Sequence, residues 1–159
     1  MVGLVACGSQ SSNYPKGAFL FCTPSSFNYT GDGGQGTVTP SLAAYIGTSP
    51  AFSIDIQDHG TDPLTISKVT LNAPGGGFAL VPPSPAGLDG GMLTMLNPYP
   101  TTPAEAFVSF YFTPTKVGAY TASIVIDSNA SVDGGEVIIP ISALGVTADA
   151  GQFDEPDGG

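Results

Sequence analysis

Residues 105–126 read Glu105-Ala-Phe-Val-Ser-Phe-Tyr-Phe-Thr-Pro-Thr-Lys-Val-Gly-Ala-Tyr-Thr-Ala-Ser-Ile-Val-Ile126. Two alternating runs flank a turn. Val108, Phe110 and Phe112 stand in one phase, and Phe107, Ser109 and Tyr111 in the other. Tyr120, Ala122, Ile124 and Ile126 then alternate with Thr121, Ser123, Val125 and Asp127. Side chains along a strand repeat every two residues, so each run offers one apolar face to a core. Pro114 stops the first ladder, and Gly118 permits the backbone turn into the second.

The same period recurs on both sides. Phe52, Ile54 and Ile56 oppose Ser53, Asp55 and Gln57. Val137, Ile139, Ile141 and Ala143 oppose Ile138, Pro140, Ser142 and Leu144. Shorter candidates are Ala18–Cys22, Gly36–Thr39, Leu64–Leu71, Gly77–Val81 and Met92–Leu96. No stretch keeps a 3.6-residue apolar period. The separators are turn formers: Asp58-His-Gly-Thr-Asp-Pro63, Pro74-Gly-Gly-Gly77, Pro82-Pro-Ser-Pro85, and a long hairpin loop over Asp127–Gly135. Many short strands between such signals predict an all-β, immunoglobulin-like antiparallel β-sandwich of about 7–9 strands. Pro140 lacks an N–H, so its strand is expected at an edge, or Pro140 at a bulge.

Composition agrees. Of 159 residues, 22 are glycine and 15 proline, which disfavours long helices. The hydrophobic share is 42% and the charged share only 10%. Disorder combines low hydrophobicity with high charge, so it does not fit the chain as a whole. The formal net charge is −10, with three cations (Lys16, Lys68 and Lys116) and no arginine. Phosphate backbones and anionic membrane surfaces both require clustered cations, so neither nucleic acid nor a lipid surface is an expected partner. No apolar run is long enough for a membrane-spanning helix. Residues 1–16 read as a flexible tether, 17–146 as the sandwich, and 147–159 as an acidic disordered tail.

The two cysteines, Cys7 and Cys22, have competing uses. Leu4-Val-Ala-Cys7 resembles a bacterial lipobox, in which the cysteine is lipidated. The basic and longer apolar regions of a signal peptide do not precede it. A Cys7–Cys22 disulfide would instead require an oxidising compartment. A lipid on Cys7 excludes that bond.

The stretch Ile54–Gly145 carries a longer pattern. Asp58-His-Gly-Thr-Asp-Pro-Leu-Thr-Ile66 is followed by Phe78-Ala-Leu80, Phe112-Thr-Pro-Thr-Lys-Val-Gly118, Ile126-Asp-Ser-Asn129 and Ile141-Ser-Ala-Leu-Gly145. This resembles the ASH/Hydin-type immunoglobulin-like repeat, known in bacteria as the choice-of-anchor D domain. Asp58 replaces the usual asparagine, and Gly145 alone represents the closing G-x-G. The resemblance implies packing roles for these residues, no catalysis, and contact with protein partners.

Chemistry-bearing groups are sparse. His59 is the only histidine. It lies in a turn, expected to be solvated, and no G-x-S-x-G elbow accompanies it. One histidine and two separated cysteines do not make a four-ligand zinc site. No catalytic residue and no cofactor is expected. Asp-Gly-Gly recurs at Asp32–Gly34, Asp89–Gly91, Asp133–Gly135 and Asp157–Gly159. Asp127, Asn129 and Asp133 are the calcium candidates, since calcium takes oxygen ligands from loops. Asp-Gly is also a tight-turn dipeptide, and a turn without metal is the expectation. Asn28-Tyr-Thr30 and Asn129-Ala-Ser131 match glycosylation acceptors.

The sequence therefore predicts a non-catalytic bacterial cell-surface or envelope module for protein binding or spacing. The alternative is a self-assembling subunit of an extracellular filament or virion, with Met1–Cys22 as a donor strand. Carbohydrate binding is a third class.

Overall fold

Alternation decides which side of each strand meets the core. The computed structural model describes residues 16–27, 42–82, 93–95, 105–130 and 135–147. It contains nine strands: β1 (Leu20–Thr23), β2 (Leu42–Tyr45), β3 (Ala51–Asp58), β4 (Leu64–Asn72), β5 (Phe78–Leu80), β6 (Leu93–Met95), β7 (Glu105–Phe112), β8 (Gly118–Ser128) and β9 (Glu136–Val146). They form a four-stranded sheet, β1-β3-β7-β5, and a five-stranded sheet, β2-β9-β8-β4-β6. The chain has an immunoglobulin-like β-sandwich fold. No α-helix occurs among the described residues, so none there is long and apolar enough to cross a membrane.

The inward phases are those the sequence predicts. Ile54, Ile56, Val108, Phe110, Phe112, Ile124, Ile126 and Ile139 are fully buried. Tyr120, Val137, Ile141 and Ala143 are buried with them, and Phe52 and Ala122 pack on the margin. Across β3 and β7, Phe52 faces Phe110 and Ile54 faces Val108. The rings of Phe27, Phe52, Phe78 and Phe112 surround that centre: Phe110 lies 5.3 Å from Phe27, edge to face, and 5.7 Å from Phe52, stacked.

Two features differ from the sequence reading. The first is β2, which was not a candidate. It pairs with β9 in parallel, with Leu42 opposite Ala143 and Tyr45 opposite Val146, whereas the other strand pairs are antiparallel. Phe27 makes a parallel bridge to Ile141 on the same edge. One sheet edge is thus completed by two pieces of chain, Phe27 and β2. The candidate Gly36–Thr39 lies outside the described residues.

The second is Pro140. β9 lies between β2 and β8, and its register with β8 runs unbroken from Gly118–Gly145 to Asp127–Glu136. Pro140 therefore occupies neither an edge strand nor a bulge in that ladder. Its carbonyl accepts from the Phe27 N–H at 3.0 Å. The N and O of one strand residue point to the same side, so the missing N–H also faces Phe27, and the β8 ladder loses no bond.

Turns are pinned by polar groups. Asp58, fully buried, ends β3. Its Oδ1 accepts from the N–H groups of Gly60 (2.9 Å) and Phe19 (3.3 Å), and its Oδ2 from Leu64 N–H (2.9 Å). Gly60 must be glycine because a Cβ there would collide with the backbone of Gly17 and Phe19. Between β7 and β8, the Tyr120 hydroxyl accepts from Thr115 and Lys116 N–H groups at 3.0 Å and donates to Lys116 O at 3.1 Å. Burial raises the pKa of this phenol. The Thr115 and Lys116 hydrogen bonds and the Lys116 charge more than offset that, holding it below the ordinary tyrosine value. Gly118 starts β8 at φ +131°, a conformation that favours glycine.

Candidate functional site

The outward phases of β3 and β7 build one continuous surface. Ala51, Ser53, Asp55 and Gln57 stand opposite Tyr111, Ser109, Phe107 and Glu105. On the flanks, Phe21 and Thr23 of β1 stand opposite Gln57 and Asp55, and Ala79 of β5 opposite Tyr111. Phe107 is 51% exposed and Tyr111 38%. Directly paired strand residues have Cβ atoms about 5 Å apart, so Phe107 stands beside the Asp55 position, with Glu105 two residues along on its own strand.

A polar chain crosses this surface. His59 Nε2 meets Gln57 Oε1 at 2.9 Å. The Gln57 amide donates to Asp55 Oδ2 at 2.7 Å and to Glu105 Oε1 at 3.2 Å. Gln57 thereby holds two carboxylates with one –NH₂ group. Asp55 Oδ1 is buried without a hydrogen-bond partner, the one such side-chain atom among the described residues. Nearby, Ser53 and Ser109 hydroxyls bond to each other at 2.8 Å.

His59 is not a solvated turn residue. It is half-buried and stacks on Phe21 with centroids 4.5 Å apart. Its Nε2 contacts the Gln57 amide oxygen. Among the described residues, no group of three His, Cys, Asp or Glu side chains could hold a metal ion.

The other sequence candidates fall elsewhere. Cys22 is buried on the core side of β1 opposite Ile56. Cys7 lies outside the described residues, as do Asp133, Asn28, the other Asp-Gly-Gly repeats, and almost all of the tether and tail. Asp127 stands in β8 between Lys68 of β4 and Glu136 of β9. Asn129 clasps the start of β4: its Oδ1 accepts from Thr65 N–H at 2.7 Å and its Nδ2 donates to Pro63 O at 3.1 Å. Gly135, at φ +84°, approaches Ser128 too closely for a Cβ. The surface around Phe107 was not singled out from the sequence. Its signal was present as large aromatics, Phe107 and Tyr111, in the outward phase of a strand whose inward phase was already apolar.

This architecture is found in solved structures. No family model matches the sequence, and no curated protein matches it. The ASH/PapD-like domain of human CEP192 (PapD-like domain 7) superposes with a TM-score of 0.52 at 11% identity, covering 93% of this chain and 99% of that one. A protein of unknown function from Porphyromonas gingivalis also gives 0.52, at 14% identity, covering 83% of this chain and 49% of that one. The chain therefore has the fold of an ASH-type, PapD-like immunoglobulin-like domain. At these identities the likeness concerns architecture.

Proposed function

We propose that this chain is a non-catalytic β-sandwich module of a bacterial cell surface or envelope that binds a protein partner or spaces neighbouring parts. The observation that carries the reading is the exposed aromatic and carboxylate face of the four-stranded sheet. It is an open strand surface, the form that suits a macromolecular contact better than an enclosed reaction. Its one histidine is held by packing and an amide. The fold likeness to an ASH/PapD-like domain supports a non-enzymatic module. The Leu4–Cys7 lipobox-like segment supports attachment at an envelope through a lipid on Cys7.

Size-exclusion chromatography with light scattering and electron microscopy tests the module reading. A stable monomer is expected. Ordered polymers would replace it with the self-assembling subunit.

A further inference from the structure

Phe107 is a large apolar side chain in the middle of β7, half exposed, with carboxylates beside it across and along the sheet. The strands of this sheet carry Asp55 and Glu105 on this face and no lysine; Lys16 precedes β1, and Lys68 and Lys116 belong to the other sheet and to the β7–β8 turn. Gln57 donates to both carboxylates, at 2.7 Å to Asp55 and 3.2 Å to Glu105, and Asp55 Oδ1 receives no hydrogen bond. A buried acceptor without a donor is costly and calls for an explanation. The chain has too few cations to provide one generally: three lysines, no arginine and a net charge of −10. A cation on another molecule would complement this acidic face. A carboxylate oxygen has two lone pairs, so Asp55 Oδ2 and Glu105 Oε1, each bonded once to Gln57, can accept a second donor.

We propose that the outer face of the four-stranded sheet, centred on Phe107, docks a basic peptide segment of a protein partner, with the cationic head of an arginine or lysine bound by Asp55 and Glu105 and its alkyl stem laid over the Phe107 ring. This rests on the reading of the chain as a binding module and adds the partner's chemistry and place. Exposed aromatics favour a cation over the ring face, and long basic side chains cover apolar surface with their methylenes. The Gln57 amide, fixed from behind by His59, keeps both carboxylates oriented before the partner arrives. That lowers the ordering cost of binding.

The probe is the peptide acetyl-Gly-Arg-Gly-Arg-Gly-amide, titrated into the ¹⁵N-labelled full chain at low salt, with glutamate in place of arginine as control. Amide shifts confined to Asp55, Gln57, Glu105, Phe107 and Ser109 are expected, and none with the glutamate peptide. Asp55→Asn with Glu105→Gln should weaken binding at least tenfold, and Phe107→Ala severalfold. The charge-matched pair Asp62→Asn with Glu136→Gln removes two exposed acids elsewhere and should change binding less than twofold. Equal weakening by both pairs, shifts spread over other acidic segments, or no binding would overturn the proposal. The light-scattering result is independent of all of these. A monomer that does not bind the peptide therefore defeats the docking face while leaving the module reading in place.

Discussion

Asp58 combines full burial with three backbone hydrogen bonds. Replacing it by alanine strands the N–H groups of Gly60 and Leu64 in a buried turn. Each stranded donor costs about 1–3 kcal/mol, so Asp58→Ala should lose about 2–5 kcal/mol in urea melts. Asp58→Asn keeps one acceptor oxygen and should lose roughly half as much. Equal losses for the two would show that the cost is packing and not hydrogen bonding. The turn role of this residue was legible, because an Asx side chain before Gly-x-x-Pro is a turn former. Its burial was not, because Asp58 continues the inward phase of Phe52, Ile54 and Ile56, and a charged residue in that phase usually marks the end of a buried run. The outward aromatic Phe107 was obscured by the same binary rule, which assigns apolar side chains to a core and says little about those left outside.

Strands with long alternation announced themselves: β3, β7, β8 and β9 each keep one apolar phase over at least three residues. β2 has only Leu42 and Ala44 on its inner side, too short a pattern to separate from a loop. Its parallel pairing with β9 arises from the path of the chain, which no local pattern encodes. Phe27 is the clearest case. It stands alone in a polar stretch, yet it is 1% exposed and joins the edge of the five-stranded sheet to the aromatic centre of the four-stranded one. Phe27→Ala and Phe110→Ala should each cost about 3–5 kcal/mol as large-to-small core changes. Because their rings meet edge to face, the double variant should lose less than the sum, with a coupling of about 0.5–1.5 kcal/mol. Denaturant melts of the four proteins give that coupling directly. Additive losses would mean that the two sheets are not tied through this pair.

The whole chain carries a net charge of −10 with only three lysines, so its folded form concentrates like charge. Compact states are destabilised by such self-repulsion, and salt relieves it. The screening length falls from about 30 Å in 10 mM salt to about 8 Å at 150 mM. The melting temperature should therefore rise by about 2–5 °C over that range, and a flat response would show that the acids lie too far apart to repel in the folded state. The same measurement isolates calcium. Asn129, one of the three candidate ligands, already uses its amide oxygen and nitrogen to hold Thr65 and Pro63. A cation bound through its oxygen would compete with the Thr65 bond at the start of β4. A shell of 6–8 oxygens also needs more than the side chains of Asp127 and Asp133 can supply. Millimolar calcium contributes little ionic strength, so the melting curve in about 1 mM calcium should coincide with the curve in excess EDTA when sodium chloride keeps the ionic strength equal. A calcium-specific rise of several degrees, abolished by Asp133→Ala, would instead mean that the loop before β9 exchanges its clasp on β4 for an ion, since a ligand that binds only the folded form stabilises it by mass action.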